Sequence, residues 1–333
     1  MSDRIRWGII GTGSIARQFA RGLQHVPDAE LMAVGSRSQQ GADVFGDMFS
    51  VPRRYSSYDA LAADSDVDVV YISTPHPMHY ENSLLCLNAG KAVLCEKPFT
   101  INAGEARALI ERARARRLFL MEAMWTRFFP AMYRLRDLLA QGVIGDVRLL
   151  QADFGFQAPF DPQNRLFAPE LGGGALLDVG VYVVSFASMV LGTPRQVVSL
   201  ADIGATGVDE QAAMVLGYDG GRLAVLSTAV RTETPQEVLI CGTAGRIRVH
   251  RQFFQPRKLT VEVYGREHTE IEMPIQGNGY HYQAIEVARC LRAGQLESEI
   301  MPLDETLAIM ETLDRIRAPW GLRYPTESRD LPV

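Results

Sequence analysis

Hydrophobic and polar positions alternate in blocks over the first 124 residues and in single steps afterwards, and this change of texture divides the chain. Five short apolar runs, Ile5 to Ile10, Leu31 to Ser36, Val67 to Ser73, Ala92 to Cys95 and Leu118 to Glu122, read as strands. The stretches between them, near 14–24, 41–49, 78–89 and 103–116, read as helices. A strand that is apolar at successive positions has both faces covered, and strands alternating with helices predict parallel βαβ units.

Past Trp125 the pattern is different. A helix near 130–140 ends at "QGVIGD", a long strand runs from Val147 to Phe156, and a glycine-rich helix follows near 172–191. Strands then recur at short intervals: Val197 to Ala201, Gln211 to Tyr218, Arg222 to Ala229, Glu237 to Ile240, Arg246 to Arg248, Leu259 to Tyr264 and His268 to Glu272. Turns such as "YDGG" and "CGTAG" between them predict an antiparallel meander, and helices near 279–293 and 303–317 close the chain. This half reads as α+β with a large, mostly antiparallel open sheet. The 333 residues suffice for two domains with separate cores, expected at 1–124 and 125–333.

A net charge of −5 argues against a surface built to neutralise phosphates, so nucleic acid is not an expected partner. The basic run Arg112 to Arg117 ends a predicted helix, where cations complement the helix dipole. Cys86, Cys95, Cys241 and Cys290 are far apart and form no C-x-x-C pair, which suggests neither a zinc site nor a disulfide framework. The start "MSDRIRWGIIGTGS" enters a strand too soon for a signal peptide, and no apolar stretch approaches the roughly 20 residues that a membrane-spanning helix needs. The expectation is a cytoplasmic protein with reduced thiols and no membrane contact.

The stretch "IRWGIIGTGSIARQFARGL" sets Gly11, Thr12, Gly13, Ser14 and Ile15 between a strand and a helix. Gly11 serves the tight turn, Gly13 lets the backbone approach a pyrophosphate, and the small Ala16 permits close helix packing. Three G-x-G matches occur in the chain, but only this one opens a βαβ unit, so the first half is read as a Rossmann dinucleotide-binding domain. Twenty-five residues beyond Gly11, where an NAD enzyme places Asp or Glu on the ribose, stand Ser36, Arg37 and Ser38. A guanidinium flanked by hydroxyls suits a 2′-phosphate, so NADP(H) is the expected cofactor, with NAD(H) as the alternative.

Ligands of an open parallel sheet sit outside the carboxyl ends of its strands. Three polar turns fall there: "STPHPMHY" (with Thr74, Pro75, His76 and His79), "EKPFT" (Glu96 and Lys97) and "EAMWTRFF" (Trp125, Arg127 and Phe128). Thr74, Pro75, His79, Glu96, Lys97, Trp125 and Arg127 are therefore candidates for the cofactor, with His76 and His79 shaping the pocket. Trp125, Phe128 and Phe154 could wall a substrate site. No zinc ligand set and no Ser-His-Asp arrangement appears, so proton transfer falls to other side chains.

Taken together, "GTGSIA", "YISTPHPMHY", "GKAVLCEKP", "LFLMEAMWTRFFPA", "GGGALLDVGVY" and "CLRAGQLES" resemble the glucose-fructose oxidoreductase and inositol dehydrogenase superfamily. They are most similar to its subgroup of dimeric dihydrodiol dehydrogenases and NADP-dependent D-xylose dehydrogenases, over nearly the whole chain. The resemblance implies catalytic roles for Lys97 of the EKP motif and for Asp178 and Tyr182 of the glycine-rich motif, the last two also touching substrate; many relatives carry His where this chain has Tyr182. The two stand four residues apart, so one helical turn directs both to one cleft. A tyrosine titrates near 10 in water, roughly, and Lys97 is expected to lower that value.

The resulting expectation is an NADP(H)-dependent dehydrogenase or reductase. It would move hydride between the nicotinamide and a secondary alcohol or aldose anomeric carbon, on a sugar, polyol or trans-dihydrodiol. A catalytically silent sugar- or nucleotide-sensing regulator on the same scaffold is the alternative, and would be expected to lack the lysine or the acid/base residue. A homodimer, or dimer of dimers, joined through the C-terminal sheet is expected because "QAAMVLGYDGGRLAVLSTA" is apolar on both alternating sets.

Overall fold

In the computed structural model, residues 4–328 are described; the outermost residues of the two expected domains, 1–3 and 329–333, lie outside the described residues. Strands β1 (Ile5–Ile10), β2 (Ala29–Gly35), β3 (Arg53–Tyr55), β4 (Val69–Ile72), β5 (Ala92–Glu96) and β6 (Leu120–Ala123) form a sheet in the order β3-β2-β1-β4-β5-β6. Every pairing in it is parallel. Helices α1 (Ser14–Leu23), α2 (Gln39–Phe49), α3 (Tyr58–Ala62), α4 (His79–Asn88) and α5 (Ala103–Arg116) are interleaved with these strands. β4, β5 and β6 are buried at every position, as strands covered on both faces must be.

Ser38, Ser57 and Asn102 cap α2, α3 and α5 by accepting from a backbone N–H three residues on. α1 is different. Gly13 stands at its N-cap without a side chain and no acid occupies its first turn, so its leading N–H groups are left for something else. β3 and α3 were not expected from the sequence. They are three and five residues long, too short for a periodic signal.

The second sheet contains β7 (Val147–Gly155), β8 (Gln196–Ile203), β9 (Asp209–Gly217), β10 (Leu223–Ala229), β11 (Val238–Gly242), β12 (Gly245–Val249), β13 (Lys258–Val263) and β14 (Thr269–Glu272). Their order is β14-β13-β12-β11-β7-β10-β9-β8, so the expected simple meander is corrected. β7, first in the chain, lies between β11 and β10 and runs parallel to β10, while all other neighbours are antiparallel. The turns along the chain carry no information about this long-range insertion.

After α6 (Pro130–Ala140), α7 (Val181–Leu191) packs on β7 and β10. The last helices, α8 (His281–Arg292) and α9 (Leu303–Arg317), return to the first half: α8 lies against α1, and α9 lies against both α5 and β8. Arg114–Asp304 and Arg107–Glu311 ion pairs tie α9 to α5. On the opposite face of the mixed sheet Val198, Leu200, Val215, Leu223 and Val225 are exposed.

One sequence expectation on length is also corrected. The helical run Pro169–Leu191 has 23 residues and is long and apolar enough to cross a membrane by length and composition; 83% of its apolar window is buried inside the protein, as for a core helix. Its start is not α-helical. Gly172 and Gly174 have φ of +70° and +112°, and a Cβ at Gly174 would lie 2.3 Å from Asp209 Oδ1. Asp209 accepts from Leu176 N–H at 2.7 Å, opening a π-helical turn, Leu176–Gly180, that leads into α7.

Candidate active site

A cleft of about 480 Å³ opens at the carboxyl ends of β1, β2, β4 and β5, where the strand order reverses. One end is the turn Gly11–Ile15. Gly11 has φ +102°, and a Cβ there would lie 2.9 Å from Ser73 Oγ. Gly13 is the opposite case: a Cβ would meet nothing within 4 Å, so the backbone is open to the cleft at the N-terminus of α1. This bare, donor-rich cradle fits a pyrophosphate. Ser36 and Arg37 line the same end. Ser38 does not; its hydroxyl accepts from Gly41 N–H as the cap of α2.

At the other end the strand β5 delivers Glu96 and Lys97, ahead of a cis Lys97–Pro98 peptide. Glu96 is buried and accepts from the Tyr71 hydroxyl and from Lys97 N–H. Burial pushes its carboxyl up to about 7, against the opposing pull of Tyr71 and Lys97. The Lys97 ammonium donates to the Asp178 backbone carbonyl at 2.7 Å, lies 3.5 Å from Asp178 Oδ1 and sits 4.8 Å from the centre of the Tyr182 ring. Asp178 Oδ1 also accepts from Arg165 Nη1 at 2.7 Å. Burial works to raise the Asp178 carboxyl, but Lys97 and Arg165 outweigh it and hold the group well below the usual carboxylate range.

The expected lowering of Tyr182 by Lys97 is contradicted. Burial, and then Glu96, push its hydroxyl well above the ordinary tyrosine range. Geometry gives the reason: the ammonium lies over the ring face rather than at the hydroxyl, and Asp178 already balances it. The Tyr182 oxygen instead accepts from Trp125 Nε1 at 3.0 Å. The single helical turn expected between Asp178 and Tyr182 is also corrected, since the π-turn intervenes, yet both residues meet Lys97.

Thr74, Pro75 and His79 line the cleft, as does His76. Burial lowers His76 to about 3 and, against the pull of the carbonyls its ring faces, His79 to about 4. The two nitrogens of His79 face the Pro98 and Thr74 carbonyls at 2.8 and 2.9 Å, leaving none for a reacting group. His79 is therefore no substitute for Tyr182 in proton transfer.

Three expectations from "EAMWTRFF" change. Arg127 is not at the cofactor cleft; its buried guanidinium pairs with Glu305 at 2.7 Å and bonds Ser185. Phe128 is fully buried core rather than a substrate wall. Trp125 stands behind the cleft, bonded to Tyr182 and stacked on Tyr280. Phe154 does lie beside Tyr182, with ring centres 5.3 Å apart, and stacks on Phe254 at 4.5 Å. Sequence reasoning missed Tyr58, Ser73, Arg165 and Leu171, which line the cleft. Tyr58 went with the unseen α3, and Arg165 and Leu171 lie outside the strand-end turns; for Ser73, the end of an expected strand was the available signal.

Two family models match this chain: the oxidoreductase family with NAD-binding Rossmann fold over residues 5–124, and the GFO/IDH/MocA C-terminal domain over residues 132–248. The chain belongs to the GFO/IDH/MocA oxidoreductase family. Among its relatives, the trans-1,2-dihydrobenzene-1,2-diol dehydrogenase of Mus musculus is 39% identical, with 98% of this chain and 99% of the relative covered. That of Homo sapiens is 38% identical over the same shares. The 3-ketoreductase KijD10 of Actinomadura kijaniata, solved in complex with NADP and TDP-benzene, has a TM-score of 0.86 and 28% identity, covering 95% of this chain and 97% of that one. The ketoreductase shares the α/β architecture described above, and the parallel sheet of this chain falls within the residues matched by the NAD-binding Rossmann model.

Proposed function

We propose that this oxidoreductase uses NADP(H) to pass hydride to or from a secondary alcohol or aldose anomeric carbon of a small sugar, polyol or trans-dihydrodiol. The observation that carries this reading is that Lys97 and Asp178 line one cleft with the Gly11–Ile15 turn, while the Lys97 ammonium lies over the ring of Tyr182. The nicotinamide, when bound, supplies the hydride donor or acceptor. Gly11 to Ser14 and the start of α1 hold the pyrophosphate, and Ser36 with Arg37 holds the 2′-phosphate. The NADP of the ketoreductase neighbour supports that choice, and the relatives acting on a dihydrodiol support the substrate class.

Lys97 orients the reacting oxygen, since one of its N–H groups bonds the Asp178 carbonyl and an ammonium has two more. Tyr182 carries its proton at neutral pH. It donates that proton to the substrate oxygen during carbonyl reduction, and the tyrosinate left behind is reprotonated from solvent. Alcohol oxidation runs the same step in reverse, with solvent first taking the tyrosine proton and the tyrosinate then accepting the one from the substrate hydroxyl. Asp178 stays ionised and anchors Lys97. The same ketoreductase has been solved with a lysine or a tyrosine replaced, which supports pairing these two residue types. Phe154 and Phe254 offer an apolar wall. The four free cysteines support a cytoplasmic setting, and the bare face of the mixed sheet supports a homodimer.

The reading is tested by following the near-ultraviolet absorbance of reduced cofactor over aldoses, polyols and trans-dihydrodiols with NADP and NAD. The expected result is turnover with higher kcat/KM for NADP. Equal or better kcat/KM with NAD would remove the role given to Arg37. Binding of NADP without turnover of any substrate in the panel would favour the sensing alternative.

A further inference from the structure

Arg165 has no place in the chemistry just described, yet it touches it. It lies in the segment between β7 and the glycine turn, and its side chain is 57% exposed, whereas the Asp178 carboxylate it meets is 6% exposed. Ala158 N–H bonds the Val230 carbonyl, and Gly174 N–H bonds the Leu166 carbonyl, so the segment is fastened on both sides of Arg165. Between these ties Arg165 and Leu171 line the same cleft as the Gly11–Ile15 turn. Asp178 Oδ1 is shared: Arg165 holds it at 2.7 Å, and Lys97 stands at 3.5 Å from the same oxygen.

We propose that Arg165 is a positioning residue: by occupying Asp178 Oδ1, it keeps Lys97 from closing into a tight ion pair and leaves the ammonium turned to the reacting oxygen. This rests on the roles proposed for Lys97 and Tyr182. A carboxylate with two cationic partners divides its attraction between them; with one removed, the other moves in and its remaining donors are drawn away from the cleft. The groups facing this carboxylate are Lys97 from the turn after β5, His76 from the turn after β4, Tyr182 from α7 and Arg165 itself, while Glu96, next to Lys97, acts on Tyr182. Of these, Lys97 and Arg165 are the cations.

The test reads Lys97 directly. The chain has three lysines, Lys91, Lys97 and Lys258. Lys91 is buried against two backbone carbonyls and Lys258 is paired with Glu270 at 2.8 Å, so mass spectrometry resolves amine labelling of Lys97 site by site. In Arg165→Ala, labelling of Lys97 by trinitrobenzenesulfonate should slow several-fold, because a tighter ion pair favours the unreactive charged amine. Lys258 should label as before. If Arg165 only shields the cleft, its removal should speed the labelling instead; unchanged or faster labelling overturns the proposal.

In Asp178→Asn, labelling of Lys97 should be insensitive to the Arg165→Ala change, whereas additive effects in the double variant would overturn it. Turnover provides the second readout, with trans-1,2-dihydrobenzene-1,2-diol and NADP as the probe pair. Arg165→Ala should lower kcat roughly 10-fold or more with little change in cofactor affinity, and Arg165→Lys should recover part of it. The acid limb of kcat should move to higher pH, because Asp178 loses one of the cations that hold it ionised. Loss of turnover in Lys97→Met with normal labelling and turnover in Arg165→Ala would sink this proposal alone, while full turnover in Lys97→Met would sink the reading beneath it.

Discussion

The parallel sheet and the mixed sheet dispose of their surfaces in different ways. β4, β5 and β6 are buried at all positions, so their faces are closed to ligands and only the strand ends are available for chemistry. β9 and β12 alternate between buried and exposed, so one face of the mixed sheet is packed and the other is left in water. Leu200 and Val198 on β8 are 80% and 68% exposed, and each forgoes about 1.5–3 kcal/mol of burial in a lone chain. Function follows from this difference. The parallel sheet contributes Gly11, Glu96 and Lys97 at its carboxyl edge; the mixed sheet carries on its covered face the helical run with Asp178 and Tyr182 and leaves its other face bare.

The largest effect expected from this contrast is at the strand ends. Lys97→Met and Tyr182→Phe should each lower kcat by on the order of 100-fold or more, while cofactor affinity, measured by titration, stays close to that of the parent. Parallel losses in both quantities would break the division between the two ends of the cleft. Next, Gly11→Ala should weaken cofactor binding by about 10–100-fold, the equivalent of roughly 1–3 kcal/mol of backbone strain at a positive φ. Arg37→Ala should weaken NADP about 10-fold and leave NAD nearly unchanged. Calorimetric titration of each variant with both cofactors checks these values.

The bare face is probed by Leu200→Asp together with Val198→Asp. Sedimentation should shift from dimer toward monomer, and turnover per chain should hold; a monomeric parent at micromolar concentration would end the comparison as drawn. The smallest effect concerns stability. Glu122 on β6 is completely buried, and burial pushes its carboxyl up to about 7, from an ordinary value of 4.5. The neutral form is therefore favoured by the fold, so this contribution is fully present below about 4.5 and is lost as pH rises through about 7. Melting temperature should fall by a few degrees across that window, and Glu122→Gln should flatten the slope; an unchanged slope would show that the carboxyl ionises freely.

Legibility from sequence divides along the same line. Strands closed on both faces announce themselves as apolar runs, and the five expected strands of the first half correspond to β1, β2, β4, β5 and β6. Exposed or short elements do not: β3 carries Arg53 and Arg54 in three residues, its cohesion coming from Arg53 pairing with Asp64 and Asp66. Lys97, Asp178 and Tyr182 were readable because each stands in a dense motif. What they do to one another was not, since the ammonium lies over a ring face and a buried hydroxyl rises rather than falls. Arg127 sits in an equally polar turn and is absorbed by Glu305, a partner 178 residues away. Position at a strand end tells where a side chain starts, not which distant carboxylate claims it.

The bond from Trp125 to Tyr182 has an optical consequence. Of the three tryptophans, Trp7 is packed against Phe19 and Trp320 bonds Ser199, while Trp125 donates its indole N–H to the Tyr182 hydroxyl. Any ligand that draws that hydroxyl toward itself must loosen or reorient its hold on the indole, whose emission depends on just such hydrogen bonding. The protein thus carries an intrinsic fluorophore one hydrogen bond from the Tyr182 hydroxyl. With Trp7 and Trp320 replaced by phenylalanine, stopped-flow emission would time the arrival of substrate at Tyr182 separately from the hydride step that absorbance records.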